Sequence, residues 1–245
     1  MLTKIKQNEQ IIGYLSRNRY ENLNILGYLN YNKNANVYLY DENVENGVFV
    51  CDENFSVFYA NANNEDFAKI FLEQLPKTPK RFSGVPMKTA EFLTKNRKVE
   101  RPVPCGVYIL KEVSEKPANY TIEPLTLADA EVVDSYYTYR SENSLADMRE
   151  NIELYDSAGI RVNGELVSWC LIHARDGSAG PIFTKPEYEK QGMGKAISLY
   201  LFDKLLKKNI TPYIHIVENN QKAISLARSL GFEHITDCLW FTIAV

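Results

Sequence analysis

The segment EKQGMGKA, residues 189–196, places two glycines one residue apart between a predicted strand and a predicted helix. Glycines at the start of a helix let the backbone approach a ligand closely, and the first amides point outward because the helix does not pair them. Such a turn can bind phosphate, and Lys185, Lys190 and Lys195 are near enough in sequence to offset its charge. A plain strand-to-helix turn is the alternative that a short G-x-G motif leaves open.

Two common nucleotide-binding loops do not fit this segment. A dinucleotide-binding loop would carry a third glycine where Ile197 stands. A P-loop needs four residues between its glycines and then a Lys-Ser or Lys-Thr pair, whereas Lys195-Ala196 follows here. Dinucleotide binding and NTP hydrolysis are therefore disfavoured, and the pyrophosphate of another cofactor remains.

The second half of the chain predicts the elements that position this loop. From Tyr120 onward, the spacing of apolar residues predicts the order β-α-α-β-β-β-α-β-α-β. Within it, Asn163 and Gly164 predict the tight turn of a β-hairpin. An apolar stripe predicts the helix that follows the loop, and its residues are Met193, Ile197, Leu201 and Leu205.

The first half predicts nearly the same order. Helical patterns at residues 4–18 and 21–31 precede three predicted strands, and a helix, an extended piece, a helix and a strand follow. We infer an internal duplication, with two unrelated α/β domains as the alternative. Charge and Pro117 interrupt the pattern at residues 111–120, which predicts one domain over residues 1–115 and another over 116–245.

Composition narrows the class of protein. A chain of 245 residues with 45% hydrophobic residues and a net charge of −3 has no basic bias for nucleic acid, so we expect none as a partner. No apolar run reaches the length of a membrane span and the start lacks a signal-peptide core, which predicts a cytoplasmic protein without a membrane partner. The four cysteines and three histidines are scattered, so neither a disulfide framework nor a metal site is predicted.

Two motifs together resemble the GNAT superfamily of acyl-CoA-dependent N-acyltransferases, whose signature is R/Q-x-x-G-x-G/A. They are PEYEKQGMGKAI, residues 186–197, and NNQKAISLARSLGF, residues 219–232. The segments LVSWCLIHA and TPYIHIVENN further resemble the glycine N-acyltransferase branch. The resemblance implies an α/β fold with a mixed sheet, namely a GNAT fold in the C-terminal half and a degenerate GNAT-like repeat in the N-terminal half.

The resemblance also implies the ligands. Acetyl-CoA or another acyl-CoA would be the donor, no metal would take part, and the acceptor would be a small-molecule amine or an amino-acid-like compound. A homodimer is a possible assembly. Backbone amides would hold the pyrophosphate, and a strand would line the pantetheine arm. The residues expected at the cofactor are Ile182, Phe183, Thr184, Lys190, Gln191, Gly192, Met193, Gly194, Lys195, Asn220 and Ala223.

The chain departs from the family pattern at two positions. Glu189 stands where the signature has Arg or Gln, and a carboxylate beside a phosphate is unfavourable unless it points into water. Ala227 stands where many members carry the tyrosine that protonates the departing thiolate, so that acid is missing. These departures keep a second hypothesis open, a non-catalytic module that binds and senses acyl-CoA.

Transfer of an acyl group to an amine needs a base for the amine proton. The glutamate that the family often sets on its fourth strand would fall at Ser178. Asp176, two residues earlier, would face the same side if the strand extends that far, so we expect it to be the base, with an Asp-Gly turn as the alternative. His173 and His215 are the other titratable candidates, with a packed structural histidine as their alternative. Tyr213, on the same strand face as His215, could donate a proton to the leaving sulfur.

The corresponding stretch of the first half reads NANNEDF and has no G-x-G motif. Glu65 and Asp66 would stand at the start of the helix there, where they suit the helix dipole but repel phosphate. We therefore expect a single cofactor site, in the second half.

Overall fold

The computed structural model describes residues 1–51, 57–113 and 119–244. The elements of the first half are β1 (Leu2–Ile5), α1 (Glu9–Arg17), α2 (Leu23–Tyr31), β2 (Asn36–Tyr40), β3 (Gly47–Cys51), β4 (Phe58–Ala62), α3 (Glu65–Gln74), β5 (Lys80–Pro86), α4 (Met87–Thr94) and β6 (Val99–Ile109). The elements of the second half are β7 (Ile122–Glu123), α5 (Ala130–Ser135), α6 (Ser144–Leu154), β8 (Ala158–Val162), β9 (Glu165–Ile172), β10 (Ala179–Thr184), α7 (Met193–Lys207), β11 (Tyr213–Val217), α8 (Gln221–Ser229) and β12 (Glu233–Ile243).

Both halves follow the same order, β-α-α-β-β-β-α-β-α-β, which confirms the predicted duplication at the level of element order. One local prediction is wrong, because the helical pattern does not begin at residue 4. Leu2–Ile5 is a strand that pairs antiparallel with β2, with Ile5 opposite Val37. The helix begins only after Asn8, whose side chain accepts a hydrogen bond of 3.0 Å from the Ile11 amide.

The described chain divides into two compact units. Unit 1 comprises Met1–Val107, His215–Asn219 and the residues from Ile235 onward, and unit 2 comprises Tyr108–Ile214 and Asn220–His234. The predicted boundary between residues 115 and 116 lies outside the described residues and stays a prediction. Most of β11 and β12 thus belongs to unit 1, although both strands come from the second half of the sequence.

Unit 1 is built on an eight-stranded sheet with the order β1-β2-β3-β4-β5-β12-β6-β11. Strand β12 is inserted beside β5, antiparallel to it, with Cys238 opposite Pro86. Aromatic side chains fill the core on one face, and Phe82 of β5 stacks on Phe241 of β12 with ring centroids 5.0 Å apart. The last strand of the chain is therefore part of the core of unit 1.

Unit 2 is built on a four-stranded antiparallel sheet with the order β10-β9-β8-β7. The β8–β9 turn lies at Asn163 and Gly164, both with positive φ, as the sequence predicted. Helices α5 and α6 pack on Trp169 and Leu171 of β9, and α7 packs on β8, β9 and β10. Strand β10 is an edge strand of this sheet, which leaves one side of its backbone available to a ligand.

No helix in the described part of the chain combines the length and the apolarity that crossing a bilayer requires.

Candidate active site

The start of α7 is open in the way that the G-x-G motif predicts. Gly192 is the N-cap residue and lies in the left-handed region at φ 81°, where glycine is favoured, and no side chain caps the helix. The first bond of the helix runs from the Ala196 amide to the Gly192 carbonyl at 2.9 Å. A Cβ atom placed on Gly192 would meet no heavy atom within 4 Å. An anion can therefore approach the amides at the positive end of the helix dipole.

Two contacts fix the loop that leads into this helix. The Tyr120 hydroxyl donates a hydrogen bond of 2.5 Å to the Gln191 carbonyl, and the Gln191 side chain donates to the Glu187 carbonyl at 3.4 Å. Lys190, Gln191 and Gly192 themselves are exposed. Tyr120 was not predicted as a site residue, and no sequence signal links it to a partner 71 positions away.

Strand β10 leads from the interior of unit 2 toward this loop. Ile182 and Thr184 pair with Cys170 and Ser168 of β9 on one side, and residues 181–184 are only half-buried. The register shifts between Ala179 and Ile182, so the strand carries a bulge near its start. Its free edge offers peptide N–H and C=O groups to an extended ligand with amide groups of its own.

The three lysines expected at the phosphate group do not behave alike. Lys190 is exposed and Lys195 is half-buried in the first turn of α7. Lys185, in contrast, is buried, forms an ion pair with Glu165 and lies 5.6 Å from the ring centroid of Tyr136. Its hydrogen bond to Glu165 raises the pKa of Lys185. The expectation that Lys185 offsets phosphate charge is therefore wrong, because its charge is already neutralised within the sheet.

Glu189, the departure from the signature, is neutralised by a neighbour in space. Its carboxylate forms an ion pair with Lys222 of α8, and the Glu189 side chain retains 31% of its exposure. An exposed pair of this kind contributes less than about 1 kcal/mol to stability, but it cancels the negative charge beside the loop. The two residues stand 33 positions apart, and no sequence pattern predicts that they pair.

Asp176, the expected base, lies in the turn before β10 and not on the strand itself. Strand β10 begins at Ala179, so the expected extension of the strand to Asp176 is wrong, and the Asp-Gly turn is what forms. The buried Asp176 carboxylate accepts hydrogen bonds from the Ser178 amide at 3.0 Å and from the Ser178 hydroxyl at 2.7 Å. The Gly177 amide closes the turn by donating to the His173 carbonyl at 2.8 Å.

Tyr213 lies at the same turn, whereas His215 belongs to the other unit. The buried Tyr213 hydroxyl donates a hydrogen bond of 2.7 Å to the Asp176 carbonyl. In unit 1, the ring of His215 packs edge-on against Trp240, with centroids 5.6 Å apart. Asp176, Ser178 and Tyr213 are therefore brought together in unit 2. Their predicted catalytic roles, and that of His215, stay predictions.

His173 is the site residue whose place the sequence did not specify. His173 is the first residue after β9, and its amide donates a hydrogen bond of 2.8 Å to the Ser178 carbonyl. Burial lowers the pKa of His173, an effect opposed by the charges of Asp176 and Asp147 and reinforced by Arg175. The imidazole is thus neutral near pH 7.

Helix α8 presents the remaining residues expected at the cofactor. The Asn220 side chain caps this helix by accepting a hydrogen bond of 3.1 Å from the Ala223 amide, as its position before the helical pattern indicated. Ala227 is buried in the next turn of α8 and carries no group that could protonate a thiolate. Within the described ranges, no three His, Cys, Asp or Glu side chains are arranged to hold a metal ion.

The chain is similar to known proteins mainly over its second half. The family model described as FR47-like protein matches residues 157–241. The chain is 27% identical over 158 residues to human glycine N-acyltransferase-like protein 2, an alignment that covers 63% of this chain and 53% of the relative. It is 29% identical over 87 residues to the [ribosomal protein bS18]-alanine N-acetyltransferase of Escherichia coli K12, covering 34% of this chain and 59% of the relative. The chain thus spans between half and three fifths of the length of these curated relatives.

Solved structures share the fold across the whole chain. An X-ray structure of a Drosophila protein superposes with a TM-score of 0.80 at 15% identity and covers 99% of this chain and 98% of its own. A tandem GNAT protein from the clavulanic acid biosynthesis pathway gives a TM-score of 0.54 at 12% identity, with 99% and 98% covered. The predicted mixed α/β fold with a GNAT-like repeat in each half is confirmed. Its motifs, its element order and these similarities support a place for the chain in the GNAT superfamily.

Proposed function

We propose that this protein is an acyl-CoA-dependent N-acyltransferase, with acetyl as the simplest acyl group. The observation that carries the proposal is the open start of α7, where a left-handed Gly192 precedes uncapped amides beside the edge strand β10. A primary amine on a small or amino-acid-like molecule is the proposed acceptor. The names of the two curated relatives, which refer to glycine and to alanine, support this choice of acceptor class.

In this proposal the pyrophosphate of acyl-CoA lies at the end of α7. The amides of residues 191–195 would donate to its oxygens, and Lys190 would offset part of its charge. The pantetheine arm would run along the free edge of β10 from Thr184 to Ile182, with Asn220 and Ala223 on its other side. This direction leads the thioester toward the bulge at the start of β10.

The proposed reaction is a direct transfer with both substrates bound. The nitrogen of the neutral amine forms a bond to the thioester carbonyl carbon, the C–S bond breaks with its electron pair on sulfur, and the amine proton passes to a base. The products are an amide and the thiolate of CoA. Tyr213 is the proposed proton donor to that sulfur: its hydroxyl would exchange the Asp176 carbonyl for the thiolate, and the tyrosinate would regain a proton from solvent.

A panel of amines incubated with acetyl-CoA tests the proposal, with release of free thiol as the measurement. We expect thiol release that depends on the amine and an acylated product of matching mass. The second hypothesis, a non-catalytic acyl-CoA sensor, is favoured by the buried Ala227 at the usual tyrosine position. A sensor would bind CoA in calorimetry and release no thiol with any amine. Absence of both binding and turnover would contradict the two hypotheses together.

The expected cytoplasmic location and the possible homodimer also stay proposals. Cell fractionation tests the first, and light scattering at several protein concentrations tests the second.

A further inference from the structure

The turn between β9 and β10 contains three side chains that can carry a charge, those of His173, Arg175 and Asp176. His173 stands at its first position, and its backbone bonds to both Gly177 and Ser178 hold the residue in place. From the same turn the buried Asp176 acts on the imidazole through its charge, and Asp147 of α6 does so from a neighbouring helix. Arg175 of the turn adds one positive charge and pairs with Asp147 at 2.9 Å.

The imidazole of His173 lies directly beside the bulge of β10. A Cβ atom built on Gly180 would approach Nε2 of His173 to 3.3 Å. Gly180 has a φ of 150°, which side-chain-bearing residues rarely adopt, so the backbone favours glycine there. His173 Nε2 therefore lies close to Gly180, at the start of β10, toward which the proposed pantetheine arm runs.

The protonation state of His173 suits a proton acceptor. Burial holds the pKa of His173 below its usual value of 6.5, so the ring is neutral at pH 7 and has a free lone pair on one nitrogen. As a whole the residue is half-buried. The carboxylate of Asp176 would stabilise the imidazolium that forms when the ring takes up a proton.

We propose that His173 is the general base of the reaction, accepting the proton of the attacking amine directly or through one water, with the Asp176 carboxylate stabilising the imidazolium by its charge. The inference rests on the proposed N-acyltransferase function. As the N–C bond forms, the amine proton passes to the imidazole nitrogen, and the imidazolium later returns it to solvent. Ser178, at the usual glutamate position, holds the Asp176 carboxylate through two hydrogen bonds.

The test compares His173→Gln with His234→Gln, a control at an exposed histidine of unit 2. We expect kcat at pH 7 to fall about 10²-fold or more in the first variant, with CoA affinity unchanged, and to stay at the wild-type value in the second. Part of the lost rate should return at high pH, where the amine is already deprotonated. Equal pH profiles for His173→Gln and the wild type would overturn the proposal.

Asp176→Asn separates the two candidate bases. Loss of the carboxylate charge removes an interaction that raises the pKa of His173, so the acidic limb of the rate profile should move to lower pH and remain visible. If the limb disappears in Asp176→Asn and persists in His173→Gln, Asp176 is the base and the proposal is wrong.

A measurement on the wild-type protein covers the case in which a variant does not fold. The chain has three histidines, so their imidazole signals can be resolved in NMR titrations. We expect the kinetic limb to coincide with the titration of His173, below 6.5, and a mismatch contradicts the proposal. Wild-type protein that releases no thiol with any amine would instead defeat the proposed function itself.

Discussion

The two halves share their element order but differ at one helix. This helix follows three consecutive strands, and it is α3 after β4 in the first half and α7 after β10 in the second. Helix α3 begins after Asn64, whose side chain accepts hydrogen bonds from the Asp66 amide at 2.8 Å and the Phe67 amide at 3.3 Å. Its first turn also carries the acidic Glu65. Helix α7 begins after a left-handed Gly192, with no capping side chain and no acidic residue in its first turn. The first amides of α3 are therefore hydrogen-bonded by a side chain of the protein, whereas those of α7 remain available to an anion.

The strands that precede these helices differ in the same sense. Strand β4 is buried along its whole length between β3 and β5. The side chain of Thr89 forms hydrogen bonds with the backbone of its last residue, Ala62. The Ala62 amide donates to the Thr89 hydroxyl at 2.8 Å, and that hydroxyl donates to the Ala62 carbonyl at 3.2 Å. Strand β10 lies at an edge and is half-buried over residues 181–184.

A few side chains account for this difference. In unit 1, the Asn24 side chain donates to the carbonyls of Ser83 at 3.0 Å and Gly84 at 2.7 Å, which adds to the bonds made by Asn64 and Thr89. Backbone groups that a cofactor would use are thus occupied by the protein itself. The comparison shows that a side chain of unit 1 takes the hydrogen bonds at a helix start that no side chain caps in unit 2.

The largest effect is expected at Gly192. Gly192→Asp should weaken CoA binding about 10²-fold or more, because it places a negative charge where the pyrophosphate is proposed to lie. Gly192→Asn is the matched control, since it has nearly the same shape and the same strain of about 1 kcal/mol in the left-handed region but no charge. Calorimetry with CoA measures the difference. Equal affinities for the two variants would contradict a phosphate site at this helix.

A smaller effect is expected from removing the hydrogen bonds between the Thr89 hydroxyl and the backbone of Ala62 in β4. Thr89→Val leaves the buried Ala62 amide without its partner and should lower the free energy of unfolding by about 1–3 kcal/mol. Thr184→Val is the counterpart on β10, where Ser168 keeps its bond to the Phe183 carbonyl, so the loss should stay below about 1 kcal/mol. Urea denaturation of both variants gives the two values. A larger loss of unfolding free energy in Thr184→Val than in Thr89→Val would contradict the proposed difference between β4 and β10.

The smallest effect is expected at the cap of α3. Asn64→Ala should lower the free energy of unfolding by about 1 kcal/mol and leave CoA affinity unchanged. Thermal unfolding and calorimetry measure the two quantities. A change in CoA affinity would mean that the start of α3 takes part in binding after all.

Local patterns predicted most of the fold. Asn163-Gly164 indicated the hairpin, the apolar stripe from Met193 indicated α7, and Asn220 indicated the start of α8, since each depends on residues close in sequence. Strand β1 was missed because its pairing partner β2 lies more than 30 residues away. The place of β12 beside β5 also had no local signal, because it depends on residues at opposite ends of the chain.

The site was less predictable than the fold. The G-x-G loop could be recognised because backbone geometry at glycine is a local property. The fate of Lys185 depends on Glu165, a partner 20 residues away, and the place of Asp176 depends on where β10 begins. The contact of His173 with the bulge of β10 depends on a register shift that no residue type announces.

The position of β12 has a consequence for synthesis on the ribosome. Cys238 and Ile243 pair with Pro86 and Lys80 of β5, so β5 lacks this neighbour until β12 has emerged. At about 5–20 residues per second, the delay is on the order of 10 s. During that interval Phe82 has no Phe241 to stack on. The half of the protein that is made first is therefore the half that is finished last, and its incomplete sheet is the segment of the nascent chain that a chaperone would have to cover.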